Sequence, residues 1–375
     1  MTGEGATIMS RDDSRVSDLP DCILHHILSF LDTKSSVRTS ILSKRWTNLW
    51  KGVNVLHLQA SSFPCKSSLQ NLLSSLRSHH TIVGNISFHS GERRRVNGWT
   101  LDDKLFDMVM GFADHRLEVL SLNSAGVSCS VANSIVRHHH CQSLTTLKLE
   151  VPTITPPNSL IDLGFSMLTT LELRRCTFIL STSKEVICDP FANLPSLNNL
   201  KLLGCSSRVP FRVSGDRLLK LEIRSDDPAS LDHFKLGIGQ VSAPKLESFY
   251  ISGHAYDIRN LDVVHIPSLA QASVHLEWPN LPFGFFARNK ENMKKIEMAN
   301  CAFTKLLCGL HNAKSLNLCF DTLGQQSQQN FLLARMKPLI EHELSRFTRL
   351  KTFKIRYPWE SPPSMCDCLK ALSIS

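Results

Sequence analysis

Two patterns of apolar and polar positions divide the chain. Between Asp18 and Trp50 the apolar residues Ile23, Leu24, Ile27, Leu28 and Leu31 recur at helical spacing, with Asp18 placed to cap and Pro20 inside the first turn. Asp32 and Thr33 break that stripe. The spacing predicts a second short helix carrying Val37, Ile41 and Leu42, and a third that starts at Ser43 and presents Trp46, Leu49 and Trp50. Beyond Trp50 the period changes to a six-residue unit, LxxLxL, which places three apolar side chains in the geometry of a short strand that leads into a turn.

The clearest copies are LEVLSL from Leu117, LTTLKL from Leu144, LTTLEL from Leu168, LNNLKL from Leu197, LLKLEI from Leu218 and LESFYI from Leu246. Weaker ones are VNVLHL from Val53, VGNISF from Val83, LAQASV from Leu269, MKKIEM from Met293, AKSLNL from Ala313, LKTFKI from Leu350 and LKALSI from Leu369, for thirteen candidates in all. In three of them a cysteine follows the last apolar position by three, at Cys176, Cys205 and Cys301, where a small buried hydrogen-bonding side chain suits the turn. A single strand with its return segment cannot bury its own apolar side, so copies must stack about 4.8 Å apart to share a continuous leucine core. Intervals of 19 to 37 residues make the array irregular, and long return segments such as Gln325 to Arg346 are expected to be helical.

Composition sharpens this picture. A chain of 375 residues with 54 leucines is too long for one ordinary core and favours growth by repetition. Charged residues at 20% and apolar residues at 42% exclude wholesale disorder and a membrane protein, and no apolar run reaches the length of a bilayer span. The opening residues MTGEGATIMSRDDSRVSD contain no apolar core of a secretory signal, which predicts residence in the cytosol or nucleus and a disordered tail over residues 1–14. The twelve cysteines are scattered without a CxxC pair, and Cys366 and Cys368 have no histidine within ten residues, so reduced thiols and no structural metal are expected. The net charge of +9 raises nucleic acid as a partner, but the only local excess is five basic residues against one acidic over residues 61–100, including Arg93, Arg94 and Arg95 in GERRRVNG. Without interleaved aromatics that run reads as a solvated loop, and nucleic acid is not expected.

Three helices in about 35 residues bury too little to be stable alone without metal or disulfide. A partner is the physical expectation, with Leu19, Pro20, Ile23 and Leu24 left over as an outward patch; the alternative is that these residues cover the next domain. The run DLPDCILHHILSFLDTKSSVRTSILSKRWTNLW resembles the F-box, and RTSILSKRW resembles its plant version. The repeats after it resemble the divergent leucine-rich repeats of plant F-box proteins. The resemblance implies an α/β chain: a tail at 1–14, a three-helix F-box at 15–52, and an irregular leucine-rich-repeat solenoid of about thirteen units at 53–375. Its parallel sheet would line the concave face, with helices and loops on the convex face. Proteins of this kind often continue into a C-terminal module called FBD, whereas this chain ends at LKALSIS with no complete FBD expected.

The F-box resemblance further implies docking on a Skp-type adaptor, and through it on cullin and RING subunits of a ubiquitin ligase, by way of Leu19, Pro20, Ile23, Leu24, Ile27, Leu28, Leu42 and Trp46. The chain itself would then catalyse nothing. No Gly-rich phosphate loop, GxSxG elbow or HExxH motif occurs, and neither cofactor nor metal is expected. The cluster Arg137, His138, His139, His140, Cys141 precedes a repeat strand, where consecutive side chains diverge and cannot all face one ion.

In each copy the residue between the last two apolar positions faces outward, and from the third copy these read Ser121, Lys148, Glu172, Lys201, Glu222, Tyr250, Ser273, Glu297, Asn317 and Lys354. Lys148, Glu172, Lys201 and Glu222 alternate in sign and are expected to form an ion-pair ladder. Contact with an unknown protein substrate then shifts to Tyr250, His275 and the apolar stretch Trp278, Phe283, Phe285 and Phe286, against the competing expectation that those aromatics pack in the core. The leading reading is a substrate-recognition subunit of a ubiquitin ligase. The alternative is a repeat scaffold whose N-terminal helices only cap the array.

Overall fold

The computed structural model describes residues 16–77, 83–89, 101–113, 116–123, 131, 135, 143–150, 153–154, 165–179, 188–225, 237–255, 257–278, 290–322 and 326–356. Its centre is one sheet of eleven strands, all parallel. In order these are β1 (Val55–Gln59), β2 (Asn85–His89), β3 (Val119–Asn123), β4 (Thr146–Glu150), β6 (Thr170–Arg174), β8 (Asn199–Leu203), β11 (Lys220–Arg224), β13 (Ser248–His254), β15 (Gln271–Trp278), β16 (Ser315–Thr322) and β17 (Thr352–Arg356). Return segments contribute two three-stranded parallel sheets. One holds β5 (Thr153–Ile154), β7 (Thr177–Phe178) and β9 (Ser206–Ser207), the other β10 (Phe211–Ser214), β12 (Ile238–Ser242) and β14 (Asp262–Val264).

Eleven of the thirteen sequence units are strands of the large sheet, and the pleat sorts their residues as expected. In β1, β2, β3 and β8 the second and fourth residues are buried while the first and third are only partly so. Leu56, Ile86, Leu120, Leu147, Leu171, Leu200, Leu221, Phe249, Ala272 and Leu316 thus form one continuous buried row, each in register with the next. Two expected cysteines close this geometry. The buried Cys176 and Cys205 each donate a thiol hydrogen to a strand carbonyl, that of Arg174 at 3.2 Å and of Leu173 at 3.4 Å respectively.

MKKIEM is not a strand. It opens helix α5 (Lys290–Gly309), in which Ile296, Ala299, Phe303 and Leu306 are buried at helical spacing. Six residues satisfy either period, and the continuation through Leu306 decides for the helix. Glu297 and Cys301 therefore leave the strand and turn roles expected of them and stand exposed on α5. LKALSI lies outside the described residues, as do Arg93, Arg94 and Arg95, His138 to Cys141, and the tail over residues 1–14.

The covered face is only partly helical. Helices α3 (Lys66–Arg77) and α4 (Asp103–Met110) pack Leu69, Leu73, Leu105 and Phe106 behind the first strands, and α6 (Gln326–Leu344) precedes β17 as the long return segment predicted. Between them the short segments FRVS, IGQVS and DVV, too short for helix and rich in valine and isoleucine, pair as β10, β12 and β14. Helix α5 lies against β14 so closely that a Cβ on Gly309 would overlap the Val263 carbonyl oxygen. Gly309→Ala is expected to destabilise the array by about 1–3 kcal/mol through overpacking against rigid backbone, measured by urea unfolding.

The N-terminal helices also cap the array. In α2 (Thr33–Arg38), Thr33 Oγ1 accepts the His57 amide at 2.9 Å, and the Lys34 ammonium donates to the Ser62 carbonyl while lying 5.0 Å from the Phe63 ring centre. Val37 and Trp50 pack against the leucine core.

Candidate functional site: an apolar band and an open sheet face

Helix α1 (Asp21–Ser29) starts at Pro20, which occupies the cap position, while Asp18 ends a short 3-10 turn instead. Arg45 braces this start, donating to the Asp21 carboxylate at 3.2 Å and to the Leu19 carbonyl at 2.6 Å. Asp32 caps α2, accepting from Ser35 N at 3.0 Å. The expected third helix is absent from the described residues: turns run through Lys44 to Asn48, and a 3-10 helix follows at Leu49–Gly52.

Of the eight residues assigned to adaptor contact, three face inward. Leu24, Leu28 and Trp46 are buried together with Leu49 and Val53 as the whole interior of this module. Leu24 and Leu28 lie four apart, on the side of α1 that meets the 3-10 helix, so a helical stripe alone does not tell the inner from the outer face. Leu19, Pro20, Ile23, Ile27 and Leu42 are exposed. Phe30 at 72%, Leu31 and Ile41 at 88% join them, unforeseen from the sequence. The signal for the first two was present, since Ile23, Ile27, Phe30 and Leu31 recur four, seven and eight positions apart. Eight of the ten large apolar side chains left exposed among the described residues lie between Val16 and Leu42.

The second surface is the open face of the large sheet. Its middle row runs in strict register through His57, Ser87, Ser121, Lys148, Glu172, Lys201, Glu222, Tyr250, Ser273, Asn317 and Lys354. The next row adds His89, Asn123, Glu150, Arg174, Arg224, Ser252, His275, Cys319 and Arg356. The expected ladder forms only at one end. Lys201 reaches Glu222 at 2.9 Å, but Glu172 is held by Arg174 of its own strand at 2.6 Å, although Lys148 stands beside it in register. Glu150 takes Arg175 at 3.2 Å, where Arg175 adopts φ 51 at the turn after β6.

Tyr250 and His275 lie together, with ring centres 5.0 Å apart, and the Arg224 guanidinium lies 4.9 Å from the Tyr250 ring. Trp278 does not belong with them. It is 2% exposed and packs edge-on against Phe303 and Phe320, so its indole serves the core. Phe283, Phe285 and Phe286 lie outside the described residues.

Burial raises the Glu222 carboxyl, but hydrogen bonds from Lys201 and Arg224 and their charges outweigh it and hold the group below the ordinary 4.5. A carboxyl whose folded-state pKa is depressed contributes stability in full above its unfolded value and loses it as pH falls through the folded one. Glu222→Gln is therefore expected to flatten the loss of stability below about pH 4.5, read from urea unfolding across the acid range. At the other end of the face, burial and then the charges of His57 and Arg174 hold the His89 imidazole below its ordinary value.

Among the described residues no helix is long and apolar enough to cross a membrane, and no group of three His, Cys, Asp or Glu is placed to hold a metal. Comparison with known proteins gives both surfaces a family context. The family model for the F-box domain matches residues 16–58. An F-box/FBD/LRR-repeat protein of Arabidopsis thaliana is 24% identical over 312 residues, which is 79% of this chain and 66% of that protein. An F-box/LRR-repeat protein of the same plant is 27% identical over 74% of this chain and 57% of its own length. The rice meiotic F-box protein MOF (Oryza sativa subsp. japonica) is 53% identical over 49 residues, 13% of this chain and 10% of that protein. The chain thus spans less than two thirds of the length of these relatives. Residues 16–58 are an F-box domain, and the homologues of the chain are plant F-box/LRR-repeat and FBD proteins of Arabidopsis and rice.

Proposed function

We propose that this chain is the substrate-recognition subunit of a Skp-cullin-F-box ubiquitin ligase, acting in the cytosol or nucleus. The F-box docks on a Skp-type adaptor, which connects it to cullin and RING subunits, and the open sheet face holds a protein substrate while another subunit transfers ubiquitin. The chain contributes binding and no catalytic group. The observation that carries this reading is the concentration of exposed apolar side chains on one small module: Leu19, Ile23, Ile27, Phe30, Ile41 and Leu42 are left uncovered although the module packs on the array through other residues. Contacts of Thr33, Lys34, Val37 and Trp50 with the array also suit a scaffold whose helices are a cap, but a cap needs no such band. The deciding experiment is co-purification of a recombinant Skp-type adaptor with the intact chain and with an Ile23→Asp/Leu42→Asp variant. Failure of the intact chain to retain the adaptor leaves the scaffold reading.

A further inference from the structure

The first three strands of the large sheet present a stretch of the open face without lysine, arginine or carboxylate, where His57 and His89 stand among Gln59, Ser87, Ser121 and Asn123. His57 faces Ser87 in register, and His89 faces Gln59 on one side and Asn123 on the other. The two imidazoles therefore meet on the diagonal, with ring centres 5.7 Å apart and planes at 63°. Edge-to-face approach is what two aromatic rings prefer, and it accounts for the contact. It does not account for Nδ1 of His89, which is buried with no hydrogen-bond partner among the described residues, although buried polar atoms are as a rule paired.

A neutral imidazole nitrogen with a free lone pair is a preferred protein ligand of zinc and its neighbours in the transition series. Burial and then the charges of His57 and Arg174 hold the His89 imidazole below its ordinary value, which keeps it neutral at pH 7. Two rings on one ion, each bound through nitrogen at about 2.0–2.1 Å with a tetrahedral angle between them, have centres about 5.2 Å apart. The observed pair is about half an ångström wider, a difference that a small side-chain rotation within one rotamer closes. Close to His57 lies the Asp32 carboxyl: burial raises it, but hydrogen bonds from Ser35 and the charge of His57 outweigh burial, so an anion stands beside the pair. The backbone under both rings is fixed, since β1 and β2 pair over their whole length and the His57 amide donates to Thr33 Oγ1 at 2.9 Å.

We propose that His57 and His89 form a binding site for a divalent transition-metal ion such as zinc, with water completing its shell. Two imidazoles favour such an ion over magnesium or calcium, which take oxygen ligands. The site lies at the end of the open face that meets α2, and an ion there ties β1 to β2. The inference is independent of the ubiquitin-ligase reading. Neither histidine stood out along the chain, because only the register of β1 and β2 brings them together.

The test uses the full chain without an affinity tag, stripped with chelator and titrated with zinc chloride by calorimetry. One ion per chain is expected on this site, with a raised melting temperature because the folded state alone holds both ligands in place. His57→Gln and His89→Gln are each expected to weaken that binding by about tenfold or more, whereas His138→Gln/His140→Gln leaves it unchanged. Cobalt in place of zinc is expected to show absorption of nitrogen and oxygen ligation without thiolate charge transfer. In the parent chain zinc should shield His57 and His89 from diethyl pyrocarbonate, read by mass spectrometry, so the outcome does not hang on the folding of a variant. Absence of zinc binding, unchanged affinity in either single variant, a thiolate band with cobalt, or unshielded His57 and His89 overturns the inference.

Discussion

Ile23→Asp combined with Leu42→Asp should strip the chain of a Skp-type adaptor without unfolding it, whereas Leu28→Ala should do the reverse in mechanism and unfold the module. Ile23 and Leu42 are exposed at 44% and 62%, so a carboxylate there stays in water and costs the free chain little. In a complex the same carboxylate is buried unpaired in an apolar contact, and losses at such central positions reach about 2–4 kcal/mol each, hence at least about a hundredfold in affinity. Leu28 belongs to an interior of only five buried residues, and its truncation costs about 2–5 kcal/mol where little stability is in reserve. Adaptor retention by immobilised chain, read beside circular dichroism and trypsin sensitivity of residues 16–53, separates the two outcomes. Undiminished adaptor binding by the double aspartate variant would sink the assignment of this band.

Phe211→Ala is the second large effect, and it falls in the middle of the array. Phe211 is buried on β10, with its ring centre 5.1 Å from that of Phe178 and 6.4 Å from that of Phe191. These three rings come from two successive return segments, Phe178 and Phe191 between β6 and β8 and Phe211 between β8 and β11, and pack in one buried cluster. Truncation leaves a void that the surrounding strands cannot close, at about 3–5 kcal/mol. Because each repeat is stabilised by its neighbours, the loss should also lower cooperativity, splitting one urea transition into two. A single unshifted transition would show that the ring cluster is dispensable.

The sheet was legible in the chain because a period of two with leucine at alternate positions has only one arrangement that buries them all, and register follows from it. What misled was brevity. MKKIEM satisfies the strand unit over six residues, and only its continuation through Phe303 and Leu306 shows a helix. The convex segments were expected as helices and loops, yet FRVS, IGQVS and DVV pair as strands, since neighbouring returns offer backbone partners that a lone segment lacks. On the F-box the helical stripe identified apolar positions but not their direction. Leu24 and Leu28 turn inward and Phe30 outward because of where the turns from Lys44 to Asn48 place Trp46, a contact remote in sequence. On the open face register pairs Tyr250 with Ser273 and His275 with Ser252, so the Tyr250–His275 contact is a diagonal one that spacing alone does not give, and Glu172 turns to Arg174 of its own strand and not to the lysines beside it in register.

The register of the large sheet has a consequence for how such a protein diversifies. Leucines on the covered side are each locked to two neighbours, so a change there is felt along the whole row. Side chains such as Ser121, Lys148 and Lys354 on the opposite side sit on the same strands yet touch little, and exchanging one of them alters the surface at one address without disturbing the rest. Inheritance can therefore rewrite the recognition surface letter by letter while the backbone that carries it stays constant.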